Sequence, residues 1–154
     1  MIAISDTDIE IFYLMHRQRF RRAETRVLRH ILITINDDIA ENRRPEVEAR
    51  LAAIRSTLVA DPQRFAEQAL QYSECPTALN AGLLGTVSRG QLYPELEPVV
   101  FALQPGEISV VAESPMGLHL LLCDSINVAQ ELSFAEASIL IRRHLEKLRR
   151  SALD

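Results

Sequence analysis

Val27-Leu28-Arg29-His30-Ile31-Leu32-Ile33-Thr34-Ile35 is the stretch on which the reading of this chain turns. It is short and rich in β-branched residues, which predicts a strand. Alternation sends His30, Leu32 and Thr34 to one face and Ile31, Ile33 and Ile35 to the other. A histidine among apolar strand residues is a first candidate for chemistry, although a lone buried histidine is more often a satisfied core residue.

Working outward, Thr7-Asp8-Ile9-Glu10 reads as a capping box that opens a helix. Ile9, Phe12, Tyr13, His16 and Phe20 follow at helical spacing, and the helix fades around Arg22 to Glu24. Beyond the strand, Asn36 to Arg44 is a charged loop. Pro45 starts a helix with Val47, Leu51, Ile54 and Leu58 as its buried stripe. Asp61-Pro62 starts another, with Phe65, Ala66, Ala69 and Leu70 inward, broken by Cys75-Pro76-Thr77. Ala81 to Val87 reads as a short strand and Pro94 to Leu103 as a short amphipathic helix. Ile108 to Ala112 and Leu118 to Cys123 read as a hairpin around Ser114-Pro115-Met116-Gly117, with His119, Leu121 and Cys123 on one face. Ser133-Phe134-Ala135-Glu136 is a second capping box, followed by Ala137, Ile141, Leu145 and Leu148 at helical spacing. Four short strands without regular alternation of helices predict an α+β fold with a small mixed or antiparallel sheet.

The chain has 154 residues, 47% hydrophobic and 25% charged, which predicts a globular domain with a real core. A net charge of -4 gives no reason to expect nucleic acid or an acidic membrane as partner. The N-terminus carries early Asp6, Asp8 and Glu10 and no cationic leader, and no apolar run approaches the ~20 residues that span a bilayer. Two cysteines, Cys75 and Cys123, suit free thiols in a reducing cytosol, so a cytoplasmic protein is expected.

A set of ordered motifs between Arg29 and Asp124 resembles the parvulin family of peptidyl-prolyl cis-trans isomerases (rotamases). Arg29-His30-Ile31-Leu32 resembles the family's first strand with its histidine. Tyr72-Ser73-Glu74-Cys75-Pro76 resembles the turn with its acidic or cysteine position. Ala81-Gly82-Leu83-Leu84-Gly85 resembles a Gly-Gly-x-Leu-Gly element, with alanine for the first glycine. Arg89-Gly90-Gln91-Leu92, Leu96-Glu97, Val100-Phe101 and Leu103 resemble the substrate-pocket segment, and Ser114 to His119 the closing hairpin with Gly-x-His. The resemblance implies an FKBP-like superfold: a four-stranded sheet surrounded by about four helices, here with extra N- and C-terminal helices. It divides the chain into an N-terminal helix at 1–26 (the remnant of a chaperone-like lobe), an isomerase domain at 27–125 and a C-terminal helix at 126–154.

Ser73 to Leu79, Leu92-Tyr93-Pro94-Glu95-Leu96 and Glu113-Ser114-Pro115 further resemble the NifM-type branch of the family, which matures nitrogenase. That branch has a larger helical N-terminal region, so the sequence reads as a fragment or a short form. The implied partner is a proline-containing client polypeptide, with the nitrogenase iron protein as the specific expectation.

Prolyl isomerisation has a barrier of roughly 18–20 kcal/mol from amide resonance and breaks no bond permanently. Catalysis requires holding the twisted amide better than either planar form. By resemblance, His30, Cys75, Ser114 and His119 form the polar catalytic cluster, with the two imidazoles meeting beneath the substrate. Leu92, Leu96 and Met116 form the substrate pocket. Leu92 and Leu96 stand where methionine and phenylalanine are usual, and Met116 where a small or aromatic residue is common, so the aromatic wall is lost. A non-catalytic chaperone or peptide-binding module on the same fold therefore stays open. No metal or cofactor is expected, since no Cys-x-x-Cys or His-x-x-x-His spacing occurs. Arg43-Arg44 offers an anion site or a solvated loop, and acidic neighbours favour the loop. Phe12, Tyr13, Phe20, Ile141, Leu145 and Leu148 predict that the terminal helices pack together, within one chain or across a homodimer.

Overall fold

The structure, a computed structural model, describes residues 3–153. In chain order it runs α1 (Asp6–Met15), a 3-10 turn (Arg17–Phe20), β1 (Arg21–Arg22), β2 (Thr25–Ile33), α2 (Arg44–Ala60), α3 (Phe65–Tyr72), β3 (Leu83–Ser88), α4 (Glu97–Val100), β4 (Ala112–Ser114), β5 (Gly117–Asn127), β6 (Gln130–Glu131) and α5 (Phe134–Leu153). Two units result. One is Glu24–Asn127; the other joins the segment up to Ala23 with the segment from Val128 onward.

In the first unit β2 lies inside an antiparallel sheet of order β3-β2-β5-β4. An interior strand covered on both faces needs apolar residues on both, which is why His30 to Ile33 is almost unbroken in hydrophobicity. Ile31 and Ile33 pack on Val47, Leu51, Ile54 and Leu58 of α2 and on Phe65 and Ala69 of α3. On the opposite face Leu28, Leu121 and Cys123 pack on Leu96, Val100 and Leu103. Each large aliphatic side chain buried this way contributes roughly 1.5–3 kcal/mol.

Several elements differ from the sequence expectation. The stripe of α3 is Phe65, Gln68 and Ala69; Ala66 is exposed and Leu70 is 63% exposed, because the helical period from Phe65 reaches 68 and 69 and not 66 and 70. The strand expected at Ala81 begins at Leu83, because Ala81 and Gly82 both take left-handed backbone conformations. The helix expected over Pro94 to Leu103 is regular only over Glu97–Val100. The hairpin's first strand is Ala112–Ser114 and not Ile108 to Ala112. There the Ser109 hydroxyl accepts the Leu121 N–H at 2.9 Å, replacing a backbone carbonyl, and Ile108 keeps only an isolated bridge to Leu122.

In the second unit α1 is capped by Ser5 with Asp8, two residues earlier than the expected Thr7 box. It ends at Met15 and does not run on to Arg22, since the chain turns and Arg21–Arg22 pair with Gln130–Glu131. The Ser133–Glu136 box opens α5 as expected. Ile9 and Tyr13 of α1 pack against Ala137 and Ile141 of α5, so the terminal helices meet within one chain. Arg142 ties the two by donating to Ile4 O and Asp6 Oδ1.

Candidate functional site

His30 and His119 enter the same sheet face from neighbouring strands. The register sets His30 opposite Leu121 and His119 opposite Leu32, which makes the two histidines diagonal neighbours. Their Nδ1 atoms lie 3.2 Å apart and their rings are near-parallel, with centroids 5.4 Å apart. The outer nitrogens are also engaged: His30 Nε2 with Thr77 Oγ1 at 3.1 Å, and His119 Nε2 with Ser114 Oγ at 2.6 Å. Ser114 Oγ in turn accepts the Met116 N–H at 3.1 Å.

Proton bookkeeping gives this chain two self-consistent directions. If Ser114 donates to His119 Nε2, then His119 donates from Nδ1 to His30, and His30 donates from Nε2 to Thr77. Reversal of every donor gives the other direction. Both require neutral imidazoles, each with one donor and one acceptor nitrogen. Burial favours that state and pushes the His30 pKa down. For His119 burial, helped by its proximity to His30, brings the pKa to about 4. With all four ring nitrogens engaged, neither imidazole has a lone pair to offer a metal, and no cluster of metal-ligating side chains occurs among the described residues.

Thr77 was not singled out in the sequence. It reaches His30 because the turn carrying it is stitched to β2. Glu74 N–H donates to Leu32 O at 2.7 Å, and Ser73 Oγ accepts the N–H groups of Leu32 and Cys75. The Glu74 carboxylate accepts from Thr34 N at 2.7 Å, Thr34 Oγ1 at 2.9 Å and Asn42 Nδ2 at 2.9 Å. The only sequence signal for Thr77 was its place in the run Ser73 to Leu79. Cys75 is half-buried at the head of the 3-10 turn Pro76–Asn80, and its thiol has no hydrogen-bond partner among the described residues. Cys123 is a core thiol whose pKa burial raises.

Two glycines make the close approach of these elements feasible. A Cβ on Gly82 would lie 2.5 Å from His30 O, and one on Gly117 would lie 2.5 Å from Ile33 O. Of the pocket residues, Leu96 is buried, Leu92 is half-buried beside it, and Met116 is half-exposed at the hairpin turn. Leu96 packs with Leu28 and Leu121 on the sheet face that also carries His30 and His119. Arg44 is engaged by Glu113 at 2.6 Å and Arg43 donates to Asp37 O, so both arginines of the loop already have partners.

The four-stranded antiparallel sheet of order β3-β2-β5-β4 with its flanking helices is the fold of a parvulin-class domain. The chain belongs to the PPIC-type PPIase (rotamase) family, whose model matches residues 30–125. Proteins described as peptidyl-prolyl cis-trans isomerase NifM, from Azotobacter chroococcum mcd 1 and Azotobacter vinelandii, are each 44% identical over 149 residues, covering 97% of this chain. The chain spans about half the length of these relatives, 51% in both cases. A crystal structure of a PpiC-type peptidyl-prolyl cis-trans isomerase domain superposes with a TM-score of 0.62 at 25% identity, covering 70% of this chain and 95% of that one.

Proposed function

We propose that this protein is a peptidyl-prolyl cis-trans isomerase in which His30, Cys75, Ser114 and His119 line the reacting amide and Leu92, Leu96 and Met116 hold the proline ring. The observation that carries the reading is the closed chain Thr77–His30–His119–Ser114 on the same sheet face as the Leu96 ledge. A fixed array of neutral donors and acceptors beside an apolar cleft favours an amide twisted out of conjugation, because it needs no reorganisation as the amide loses its planar dipole. Exchange NMR on short X-Pro peptides tests this: uncatalysed exchange takes tens to hundreds of seconds, and the protein should shorten it. A folded protein that binds such peptides without accelerating exchange is a peptide-binding chaperone module instead.

As client we propose the nitrogenase iron protein in the cytoplasm, acted on while a slow prolyl bond is still accessible. Likeness to NifM-described proteins along nearly the whole chain supports this. Co-expression in a nitrogen-fixing host decides it. Iron-protein activity that is equal with the gene intact, deleted, or substituted at Leu92 and Leu96 excludes this client. For the terminal-helix unit we propose self-association through Ile11, Met15 and Leu148, which line an apolar groove of about 520 Å³. Sedimentation should show a dimer that Leu148→Glu dissociates.

A further inference from the structure

Arg26 is a buried arginine that the isomerase chemistry does not use. Only 6% of it is exposed, at the second residue of β2. Burying a guanidinium is costly unless its donors are matched, so an arginine at such a position calls for a specific role. Here the matching is nearly complete. Nη1 donates to Val100 O at 3.0 Å and to Leu103 O, while Nη2 and Nε donate to Glu24 Oε1 at 3.0 and 3.3 Å. Glu24 also faces Arg89, with Nη2 at 3.9 Å from Oε2. Both cations sit over the Phe101 ring, 5.3 Å from its centroid for the Arg26 guanidinium and 4.3 Å for that of Arg89.

The carbonyls that Arg26 takes lie at the C-terminal end of α4 and in the turn after it, where few intrahelical donors remain; Val100 O also accepts the Leu103 N–H at 3.2 Å. Four residues are too few for a helix to hold itself in water. Between Arg89 and Leu103 the chain carries Leu92 and Leu96, the proposed wall for the proline ring. We infer that Arg26 is a positioning residue for substrate: it sets, with Glu24 and Phe101, the height of the Leu92–Leu96 wall above the sheet face that bears His30 and His119. It touches neither histidine, so it acts on how proline is held and not on the hydrogen-bond chain. The fork geometry matters, since lysine could reach one carbonyl but not two together with Glu24.

This inference rests on the isomerase reading, and the experiment separates the two. Peptide affinity is measured by titration with an X-Pro peptide, and the interconversion rate at saturation by exchange NMR, with His30 and His119 imidazole shifts as a control. Arg26→Met is expected to weaken peptide binding about tenfold, with a saturated rate and imidazole shifts close to wild type. Arg26→Lys should restore part of the affinity. If Arg26→Met does not fold, Phe101→Leu, which removes the ring that both cations contact and buries no new charge, should show the same split more weakly. Unchanged affinity in a folded Arg26→Met, or in Phe101→Leu when Arg26→Met does not fold, overturns the inference. A joint fall of affinity and saturated rate with shifted imidazoles does so too, as does a wild type that binds no X-Pro peptide. A wild type that binds without catalysis removes the isomerase reading and leaves the positioning role to stand on affinity alone.

Discussion

His30 and His119 lie on buried strand positions, and their environment makes them resist protonation. The stability consequence has a definite sign. An unfolded histidine takes a proton near its ordinary 6.5, whereas folded His119 does so only at about 4. Between these values the unfolded state binds more protons, so stability is complete above about pH 6.5 and falls as pH drops through that window. The His119 share of the loss approaches roughly 3 kcal/mol at the acid end. Urea melts from pH 7 to 4 should show it, and His119→Gln should flatten the curve. Thr77→Val should cost about 1–3 kcal/mol by stranding His30 Nε2, and it should also lower the exchange rate. Unaltered activity in Thr77→Val would remove Thr77 from the working array. Chelators should leave activity unchanged, because all four ring nitrogens are already bonded.

At the scale of elements, turns control the site more than strands do. Ala81 sits at φ 58, a left-handed conformation that costs a residue with a Cβ roughly 1–2 kcal/mol. Ala81→Gly relieves that strain against a smaller entropy penalty, and is expected to raise stability by up to about 1 kcal/mol in a denaturant melt. Gly117 is the opposite case. It has φ 144, and a Cβ there would meet the Ile33 carbonyl. Gly117→Ala should push β5 from the end of β2, displace His119, and cost about 2 kcal/mol or more. Imidazole shifts close to wild type in that variant would show that the hairpin can yield without moving the histidine.

At the scale of the whole molecule, the terminal-helix unit draws its core from both ends of the chain: Ile4, Ile9 and Tyr13 from one, Ala137 and Ile141 from the other. Removing residues 133–154 strips the cover from α1 and leaves apolar surface that favours aggregation. Light scattering of the truncated chain should rise at concentrations where the intact chain stays clear. An equally soluble and equally stable truncation would mean that this packing contributes little. The Glu24–Asn127 unit has its own two-sided core around the sheet, so its melting should persist in the truncated chain.

The strand around His30, the α2 stripe, the hairpin's turn and second strand, and the α5 capping box were legible because each is written in local periodicity or turn chemistry: Ile31 and Ile33 alternate, Val47 to Leu58 repeat at helical spacing, and Ser133 stands three residues from Glu136. By itself the sequence also determined the family, since ordered motifs from Arg29 to Asp124 survive as a pattern in one dimension. Tertiary structure alone decided which polar groups finish the site. Thr77 meets His30 only because Ser73 and Glu74 bond to β2 across the fold, and no spacing rule encodes that contact. Arg26 is likewise invisible, because a charged residue at a strand start reads as solvent-facing until Val100 and Leu103 close over it. The short span of α4 is not written in its periodicity either, and its last carbonyl, Val100 O, meets Arg26, a residue far away in sequence. Periodicity reports which side of an element is buried, whereas the partner of a buried polar atom depends on which distant backbone group the packing delivers to it.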